Sequence, residues 1–288
     1  DVGTKTVEFG PFGITGASTG ATAGSGTITI GENATKSIGL LVADSEEKLN
    51  DGKVNGIETT NRTLKRSGSI TANTGANIIV NGDSNYGFVV KSESYKSVFD
   101  ATQLDNLLES KDTNNYGIGI NKGTITVNGT NSIAFAMLKG GDSSNSGSLI
   151  VTPLATPVAQ GSTAFYGEQG NFTNSGNITV NTPNNTGNRG ILLKGANATP
   201  INFTNTGDIS IQGAGNIAVY AEGNSKFTHN VNVTPATNKI SVGDGSIGVY
   251  TKKSSTGTPE LNIGAPVELA STTGNTTTIG FYSDGDAQ

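Results

Sequence analysis

The single histidine of this chain is the first residue whose type could support catalysis. It lies in Thr228-His229-Asn230, within a sequence that contains no cysteine. A Ser-His-Asp catalyst would need this imidazole as its general base, whereas the absence of cysteine excludes thiol nucleophiles, disulfides and thiolate metal sites. Because His229 falls on a predicted strand or corner, we interpret it as a surface or corner residue and not as a catalytic base.

Carboxylates beside glycines are the second group of candidates, and they could serve glycoside hydrolysis or calcium binding. A glycosidase needs two carboxylates that face each other across the scissile bond, usually in a groove with aromatic platforms. Here the acids are sparse and tryptophan is absent, and neither the EF-hand spacing nor the Gly-Gly-x-Gly-x-Asp repeat occurs. We therefore interpret these acids as turn residues: Asp142, Asp244, Asp284 and Asp286.

Phosphate and nucleic-acid sites are not indicated either. The glycine-rich stretch from Gly13 to Gly26 lacks the lysine and the following helix of a phosphate-binding loop. The net charge is -5 and the pI is about 4.9, without the basic stripe that nucleic-acid binding requires. We expect no cofactor, no metal and no nucleic-acid partner, and the sequence predicts a protein that is not an enzyme.

The composition limits the elements that could position any site. Of 288 residues 41 are glycine, 33% are hydrophobic and only 14% are charged. A disordered chain would usually carry a higher net charge and fewer β-branched residues, yet short Ile/Val clusters recur throughout this one. In a solenoid each coil needs few inward aliphatic side chains, because its backbone hydrogen bonds pair with the neighbouring coils. The composition therefore favours a repeat protein.

Two ladders of short apolar segments alternate along the chain. In the first, a glycine precedes a run such as Thr27-Ile28-Thr29-Ile30, whose period-two alternation is typical of a strand with one buried face. Its central aliphatic residues are Ile28, Ile70, Ile125, Leu149, Ile178, Ile209, Ile240 and Val267. The second ladder pairs glycine or alanine with a bulky residue: Gly39-Leu40, Gly87-Phe88, Ala134-Phe135, Ala164-Phe165, Gly190-Ile191, Ala218-Val219, Gly248-Val249 and Gly280-Phe281. The base period is about 29 residues, with two enlarged units.

A third strand and a corner complete each predicted coil. The third strand is indicated by Asn171-Phe172-Thr173, Asn202-Phe203-Thr204 and Lys226-Phe227-Thr228. Asparagine precedes several ladder glycines by two residues, at Asn121, Asn145, Asn174 and Asn205. We interpret these positions as corners, since asparagine tolerates left-handed backbone angles and glycine has no Cβ to oppose them.

These features predict an all-β fold, a right-handed parallel β-helix with three sides and about eight or nine coils. Residues 1–24 are expected to form an N-terminal coil or cap, and residues 25–288 the β-helix stalk. A meander or sandwich of antiparallel hairpins is the alternative, since short strands with regular turns also fit that class. We prefer the β-helix because the two ladders alternate as distinct types, which stacks like residues on like.

Two insertions, at residues 44–66 and 91–115, interrupt the repeat and concentrate charge. The second predicts a short helix with Asp100 as N-cap and Gln103 three residues later, whose apolar stripe is Leu104, Leu107 and Leu108. Loops that leave a rigid scaffold often carry recognition, and the candidate ligand-binding residues are Tyr95, Lys96 and Phe99. The alternative is that the insertions are decorations or caps, with Phe99 in a small core of the loop.

The units Asn-Ser-Gly-Asn-Ile-Thr-Val at 174–180 and Gly-Ser-Ile-Gly-Val-Tyr at 245–250 resemble the coils of type V autotransporter passenger domains, particularly the large fusobacterial outer-membrane adhesins. The resemblance covers most of the chain but rests on composition. It implies display on the bacterial cell surface, export through a translocator barrel that we expect outside this chain, and attachment to a protein or glycan of host cells or other bacteria. Trimeric adhesin heads rank second within the adhesin class.

The resemblance transfers no functional residue, because no motif here marks a ligand site. The predicted function is a non-catalytic adhesin segment at the cell surface, attached to the outer membrane. Two alternatives stay open. One is a carbohydrate-active β-helix enzyme, a polysaccharide lyase or hydrolase, and the other is a stalk with a purely structural role.

Overall fold

The structure of the protein is a computed structural model in which all regular structure of the described residues is β-strand. Side chains are described for residues 26–43, 69–91, 117–152, 161–182, 186–196, 199–229, 238–270 and 277–285. Residues 5–10, 13–16, 45–49, 53–54, 57–58, 62–66, 68, 96–99 and 107–110 are described by their backbone alone. None of these residues belongs to a helix that could cross a membrane.

Three long sheets form the walls of a right-handed parallel β-helix, and the chain visits them in turn. The first wall contains β3 (Thr27–Ile30), β10 (Asn77–Val80), β15 (Thr124–Val127), β18 (Ser148–Val151), β21 (Asn177–Asn181), β24 (Ile209–Gln212), β27 (Ile240–Gly243) and β30 (Val267–Ala270). The second wall contains β4 (Ile38–Ala43), β11 (Tyr86–Lys91), β16 (Ile133–Lys139), β19 (Thr163–Gly167), β22 (Arg189–Gly195), β25 (Ile217–Gly223), β28 (Ile247–Lys252) and β31 (Ile279–Asp284).

The third wall begins with an antiparallel pair and continues in parallel. It contains β1 (Lys5–Gly10), β2 (Gly13–Gly16), β9 (Gly68–Ala72), β14 (Ile118–Asn121), β17 (Asp142–Asn145), β20 (Gly170–Asn174), β23 (Ile201–Asn205), β26 (Ser225–His229) and β29 (Glu260–Ile263). Strand β2 pairs antiparallel with β1 at one end of this wall. Counted by the first wall there are eight coils, which at about 4.8 Å per coil form a stack roughly 40 Å long.

The second ladder of the sequence is confirmed, since its bulky residues form one inward column of the second wall. Leu40 pairs with Phe88, Phe88 with Phe135 and Phe135 with Phe165, and the column continues through the remaining strands to Phe281. The ring centroids of Phe88 and Phe135 are 4.7 Å apart, and those of Phe135 and Phe165 are 6.0 Å apart. Like residues of successive coils therefore stack in the core, as the β-helix requires.

One member of the first ladder was assigned to the wrong wall. Ile70 lies on β9 of the third wall, where it pairs with Val7 and Gly119. The residue that belongs between Ile28 and Ile125 is Ile78, which pairs with both. The error arose because the segment around Ile70 has the same glycine and β-run pattern as the first wall, and the first insertion removes the spacing that would distinguish them.

The residues that fill the core differ from coil to coil along the axis. In the second coil Phe88 fills the interior and the third wall offers only Gly119, where an added Cβ would lie 2.5 Å from Val90 Cγ2. In the fifth coil the inward residue of the second wall is the smaller Ile191, and the inward residue of the third wall is Phe203. Both phenylalanines are essentially fully buried. In these two coils a large residue on one wall faces a smaller one on another, whereas in the fourth coil Phe165 and Phe172 are both buried, with ring centroids 4.2 Å apart.

The corner asparagines form a buried amide ladder, and the left-handed backbone that we expected is absent there. Asn121, Asn145, Asn174 and Asn205 are at most 1% exposed, and none has a positive φ. The Nδ2 atoms of the first three donate to the Oδ1 of the next asparagine at 2.6 Å, and all four donate to the carbonyl of the glycine two residues later. Asparagine is used here because its side chain is both donor and acceptor and so can repeat along an axis.

The glycines beside this ladder are required by close approach between coils. A Cβ on Gly147 would lie 1.9 Å from the carbonyl oxygen of Gly123, and one on Gly176 would lie 1.8 Å from that of Gly147. Gly207 repeats the arrangement on Gly176 at 1.9 Å. At this corner the carbonyl oxygen of each glycine therefore lies directly over the Cα of the corresponding glycine in the next coil.

Both insertions contain antiparallel strands, and the predicted helix is wrong where the structure describes it. The first insertion contains β5 (Ser45–Leu49), β6 (Lys53–Val54), β7 (Ile57–Glu58) and β8 (Arg62–Arg66), and the second contains β12 (Lys96–Phe99) and β13 (Leu107–Ser110). Strand β12 pairs with β13, so Leu107 and Leu108 lie on a strand, whereas Asp100, Gln103 and Leu104 lie outside the described residues. Cross-strand pairing within the insertion replaced the local helical pattern.

Candidate functional site

The three residues predicted to bind a ligand are only partly covered by the structure. Lys96 and Phe99 begin and end β12, where their backbones pair with Ser110 and Leu107. Their side chains, and the whole of Tyr95, lie outside what the structure describes. The backbone places Lys96 and Phe99 on one hairpin, and their role in binding stays a prediction.

His229 ends the buried asparagine ladder and is not a surface residue. Its side chain is fully buried, and Asn205 Nδ2 lies 3.0 Å from its Nδ1. Since the amide nitrogen can only donate, Nδ1 accepts and the neutral ring carries its proton on Nε2. Nε2 has no partner among the described residues, and the next coil places Ile263 at this position. Burial lowers the pKa of His229 below its ordinary value, so the ring acts as a neutral hydrogen-bond acceptor in the core.

The acids predicted to lie in turns occupy mixed positions. Asp244 lies in a turn, but Asp142 begins β17 and Asp284 ends β31, while Asp286 lies outside the described residues. Asp142 accepts a hydrogen bond of 2.9 Å from Asn171 on the next coil. Within the described residues no group of three His, Asp or Glu side chains could hold a metal ion.

Asp83 shows what acids do on this scaffold. Its carboxylate accepts hydrogen bonds from Thr130 Oγ1 at 2.7 Å, from Asn131 Nδ2 at 3.0 Å and from Ser84 Oγ at 2.9 Å. These bonds lower the pKa of Asp83 below its ordinary value, with the Thr130 hydroxyl contributing most. The carboxylate therefore stays ionised and links two coils.

A column of outward residues on the second wall is the most distinctive surface of the described chain. This aromatic column consists of Tyr166, Leu192, Tyr220, Tyr250 and Tyr282, which are register partners on successive coils. The Tyr220 and Tyr250 rings stack at 4.9 Å with an interplanar angle of 7°, and the Tyr250 and Tyr282 rings at 5.1 Å and 20°. Arg189 lies over the Tyr220 ring at 5.7 Å. The surface is aromatic over several coils.

A charged column runs beside the aromatic column. It consists of Glu168, Lys194, Glu222, Lys252 and Asp284, each two residues beyond a member of the aromatic column. Lys194, Glu222, Lys252 and Asp284 are register partners on successive coils. The hydroxyl groups of Tyr166 and Tyr220 donate to Glu168 and Glu222 at 2.6 and 3.1 Å, so Glu168 points outward like its neighbours. The sign of the charge alternates from coil to coil.

The tyrosine hydroxyls act as donors and not as bases at neutral pH. Burial and the Glu222 carboxylate raise the pKa of Tyr220 to about 12. Burial, with the Glu168 carboxylate, raises the pKa of Tyr166 still further, and burial and Asp284 raise that of Tyr250. Protonated, ring-stacked phenols beside fixed charges form a contact surface suited to recognition.

Our sequence reasoning missed both columns, although a signal for them was present. In the second ladder, tyrosine directly follows the bulky residue at Phe165, Val219, Val249 and Phe281. Because successive strand residues face opposite sides, a tyrosine after each buried residue had to lie outside and in line with the others. The alternation of inward and outward residues in this ladder therefore indicates the aromatic column as well as the core.

A comparison with protein families matches residues 97–285, about two thirds of the chain, to the BigA third pectate lyase-like domain. Comparisons with curated proteins and with solved structures gave no match. The family agrees with the parallel β-helix and with the expectation of a bacterial surface protein. It does not test the fusobacterial type or the adhesive role, which stay predictions. The matched segment contains the complete third to seventh coils and both outward columns, and the chain belongs to the family of the BigA third pectate lyase-like domain.

Proposed function

We propose that this chain is a non-catalytic segment of a bacterial surface adhesin, a rigid rod that holds a contact surface away from the cell that displays it. The observation that carries the proposal is the continuous pairing of the second wall, where eight strands stack in parallel and the register shifts once, between Val90 and Lys91. Such a stack is extended along one axis and presents the same kind of side chain at each step.

The energetics of a single coil explain why the β-helix becomes more stable as coils are added. A buried aliphatic side chain contributes about 2 kcal/mol, and each coil buries only a few of them, so a single coil cannot offset the entropy of ordering its residues. Each added coil covers the core and the strand edges of its neighbour. A protein built in this way gains reach and stability together, which suits display at a surface.

The carbohydrate-active enzyme is the second candidate, because the family description includes the words pectate lyase-like. Two of the described acids are unsuited to the role of catalytic acid. A catalytic acid needs a raised pKa, whereas the pKa of Asp83 is lowered by hydrogen bonds and that of Glu260 is lowered by Lys226. The Lys226–Glu260 pair lies at 2.6 Å on the exposed third wall.

Adhesion is tested by measuring the binding of the fluorescently labelled chain to intact host cells and to other bacteria by flow cytometry. We expect saturable binding that Tyr250→Thr weakens, because this substitution interrupts the aromatic column. Ser241→Thr, on the first wall of the same coil, is the matched control and should leave binding unchanged. Absence of saturable binding to every cell type would end the adhesin proposal.

The predicted site in the second insertion needs its own variant. Replacing residues 91–115 by a short glycine linker should reduce cell binding if Tyr95, Lys96 and Phe99 contact the ligand. Unchanged binding by a folded deletion variant would show that this insertion is not the main site and would leave the aromatic column as the candidate.

The enzyme is tested with a panel of acidic and neutral polysaccharides. Incubation with the chain should release neither reducing ends nor the unsaturated ends that a lyase leaves. Turnover of any member of the panel above a heat-denatured control would overturn the non-catalytic assignment in favour of the carbohydrate-active enzyme.

A further inference from the structure

The outer surface of the second wall differs in chemistry from the other two. The first wall presents mostly small polar residues, with two isoleucines among them: Thr29, Ile79, Thr126, Ile150, Thr179, Ser210 and Ser241. The third wall presents Ile120, Ser144, Thr173, Thr204, Thr228 and Asn262. The second wall instead presents the aromatic column, the charged column and a further column of Ile133, Thr163, Arg189, Ile217, Ile247 and Ile279. Stacked aromatic area over several coils usually marks an interaction surface.

The order of charges on this face has a specific symmetry. From β19 to β28 the charged column reads Glu168, Lys194, Glu222 and Lys252. Reversing an alternating series with an even number of members exchanges the two signs at every position. These four members are therefore complementary in charge to a reversed copy of themselves, and the fifth member, Asp284, lies beyond them on β31.

We propose that a second copy of this chain docks on the second wall, antiparallel to the first, about a two-fold axis that passes between β22 and β25. The axis runs along the strand direction, so each column faces the same column of the second copy in reverse order. Lys194 then faces the partner's Glu222, and Glu168 faces the partner's Lys252. A parallel arrangement would set the charged column against the isoleucines and would lose these pairs.

The aromatic column fits the same arrangement. Tyr220 faces the partner's Leu192, which is 9% exposed in the single chain, and Tyr166 faces the partner's Tyr250. Bulky rings thus meet a recessed aliphatic residue near the axis, and the phenol groups lie beside the ion pairs. The aromatic column supplies the buried centre of the interface, and the charged column supplies its polar rim, as in other protein interfaces.

The size of the face sets the strength that we expect. The residue of β16 in line with the aromatic column, Ala136, is already fully buried in the single chain. The free face therefore runs over five coils from β19 to β31, about 24 Å along the axis and about 20 Å across it. Packing two such faces would bury roughly 1,000 Å² in total, below the usual size of specific interfaces. The association should therefore be weak, concentration-dependent and sensitive to salt.

Sedimentation velocity over a concentration series tests the proposal. We expect a reversible dimer, which E222K weakens by at least about tenfold because it sets two lysine pairs across the axis. The double variant K194E/E222K restores opposite charges across the axis and should recover the dimer. E260K makes the same charge change on the third wall and should leave association unchanged, and circular dichroism confirms that each variant is folded.

Three results would overturn the proposal: a monomer at every concentration, a dimer that E222K and E260K affect equally, or a double variant that stays as weak as E222K. E222Q removes the charge at similar size and should weaken the dimer less than E222K does. The proposed contact with cells uses the same aromatic column, so cell binding is measured at concentrations where the chain is monomeric and the column is uncovered. Failure of the dimer then leaves the proposed function standing.

Discussion

At the scale of single residues, the stacked glycines are the positions that tolerate least. Gly176→Ala would place a methyl group 1.8 Å from the carbonyl oxygen of Gly147, and backbone on both sides prevents a local shift. We expect a loss of about 3 kcal/mol in the free energy of unfolding, measured by urea denaturation. Gly31→Ala is the control, because an added Cβ there meets nothing within 4 Å. Equal losses in the two variants would contradict the stacking argument.

His229 makes the stability of the chain dependent on pH. Burial holds its pKa below the ordinary value near 6.5, so above this pH both the folded and the unfolded states carry a neutral ring and stability is complete. As the pH falls below about 6.5, the unfolded state binds the proton first and stability decreases by up to roughly 1.4 kcal/mol per pH unit, until the folded pKa is passed. Thermal melts between pH 5 and 7.5 should show this slope.

His229→Asn is the variant that isolates this effect. Its Oδ1 can accept the hydrogen bond from Asn205 as the other ladder asparagines do, and it does not titrate. The variant should fold and lose most of the slope between pH 5 and 7.5. The pKa values of the acids Asp83 and Glu260 are lowered by their hydrogen bonds, so these groups titrate at lower pH and remain in the variant. An unchanged slope would mean that another group causes the dependence.

At the scale of elements, two asparagines on β20 allow a buried amide ladder to be compared with an exposed one. Asn174 accepts a hydrogen bond from Asn145 and donates one to Asn205 inside the core. Asn171 donates a hydrogen bond to Asp142 and accepts one from Asn202 on the exposed face. Asn174→Leu should cost about 2–3 kcal/mol, because the neighbouring amides lose buried partners.

Asn171→Leu is the matched substitution on the same strand, and it should change the free energy of unfolding by at most about 0.5 kcal/mol. Chemical denaturation of the two variants under one condition compares them directly. If Asn171→Leu proves as costly as Asn174→Leu, burial is not what gives the inner ladder its value.

The elements also show how far the sequence alone could lead. The second ladder was predictable, because a glycine or alanine followed by a bulky residue recurs at a similar distance after each first-wall strand. The ladder that contains Ile70 was not fully predictable, since Ile70 and Ile78 have similar local patterns and only cross-coil pairing distinguishes them.

The corner asparagines illustrate a second limit of the same kind. Asparagine followed by glycine is typical of a left-handed turn, and it is equally what a stacked amide ladder requires. The difference lies in what the next coil places above Asn174, which is 31 residues away from Asn205 in sequence. Local patterns therefore identified the corners but gave the wrong physical reason for them.

At the scale of the whole molecule, the coils are interchangeable wherever their columns carry the same kinds of residue. Ile178 pairs with Ile209 on the first wall, 31 residues later. The next step is 28 residues on the second wall, from Ile191 to Val219, and 24 residues on the third wall, from Phe203 to Phe227. Coils that contact only their neighbours contribute to stability one by one. Removal of a whole coil should thus preserve the fold, whereas removal of part of a coil should not.

Deleting residues 178–208 removes one coil and joins Asn177 to Ile209. Leu149 would then stack on Ile209, and Asn174 on His229, so every column closes and the amide ladder still ends on an acceptor. We expect a folded rod shortened by about 4.8 Å, with a cooperative thermal transition at a slightly lower temperature. Deleting residues 178–193 removes fewer residues but shifts third-wall residues onto the second wall, and it should abolish the β signal in circular dichroism. If the shorter deletion folds as well as the longer one, stability does not depend on the register of the columns.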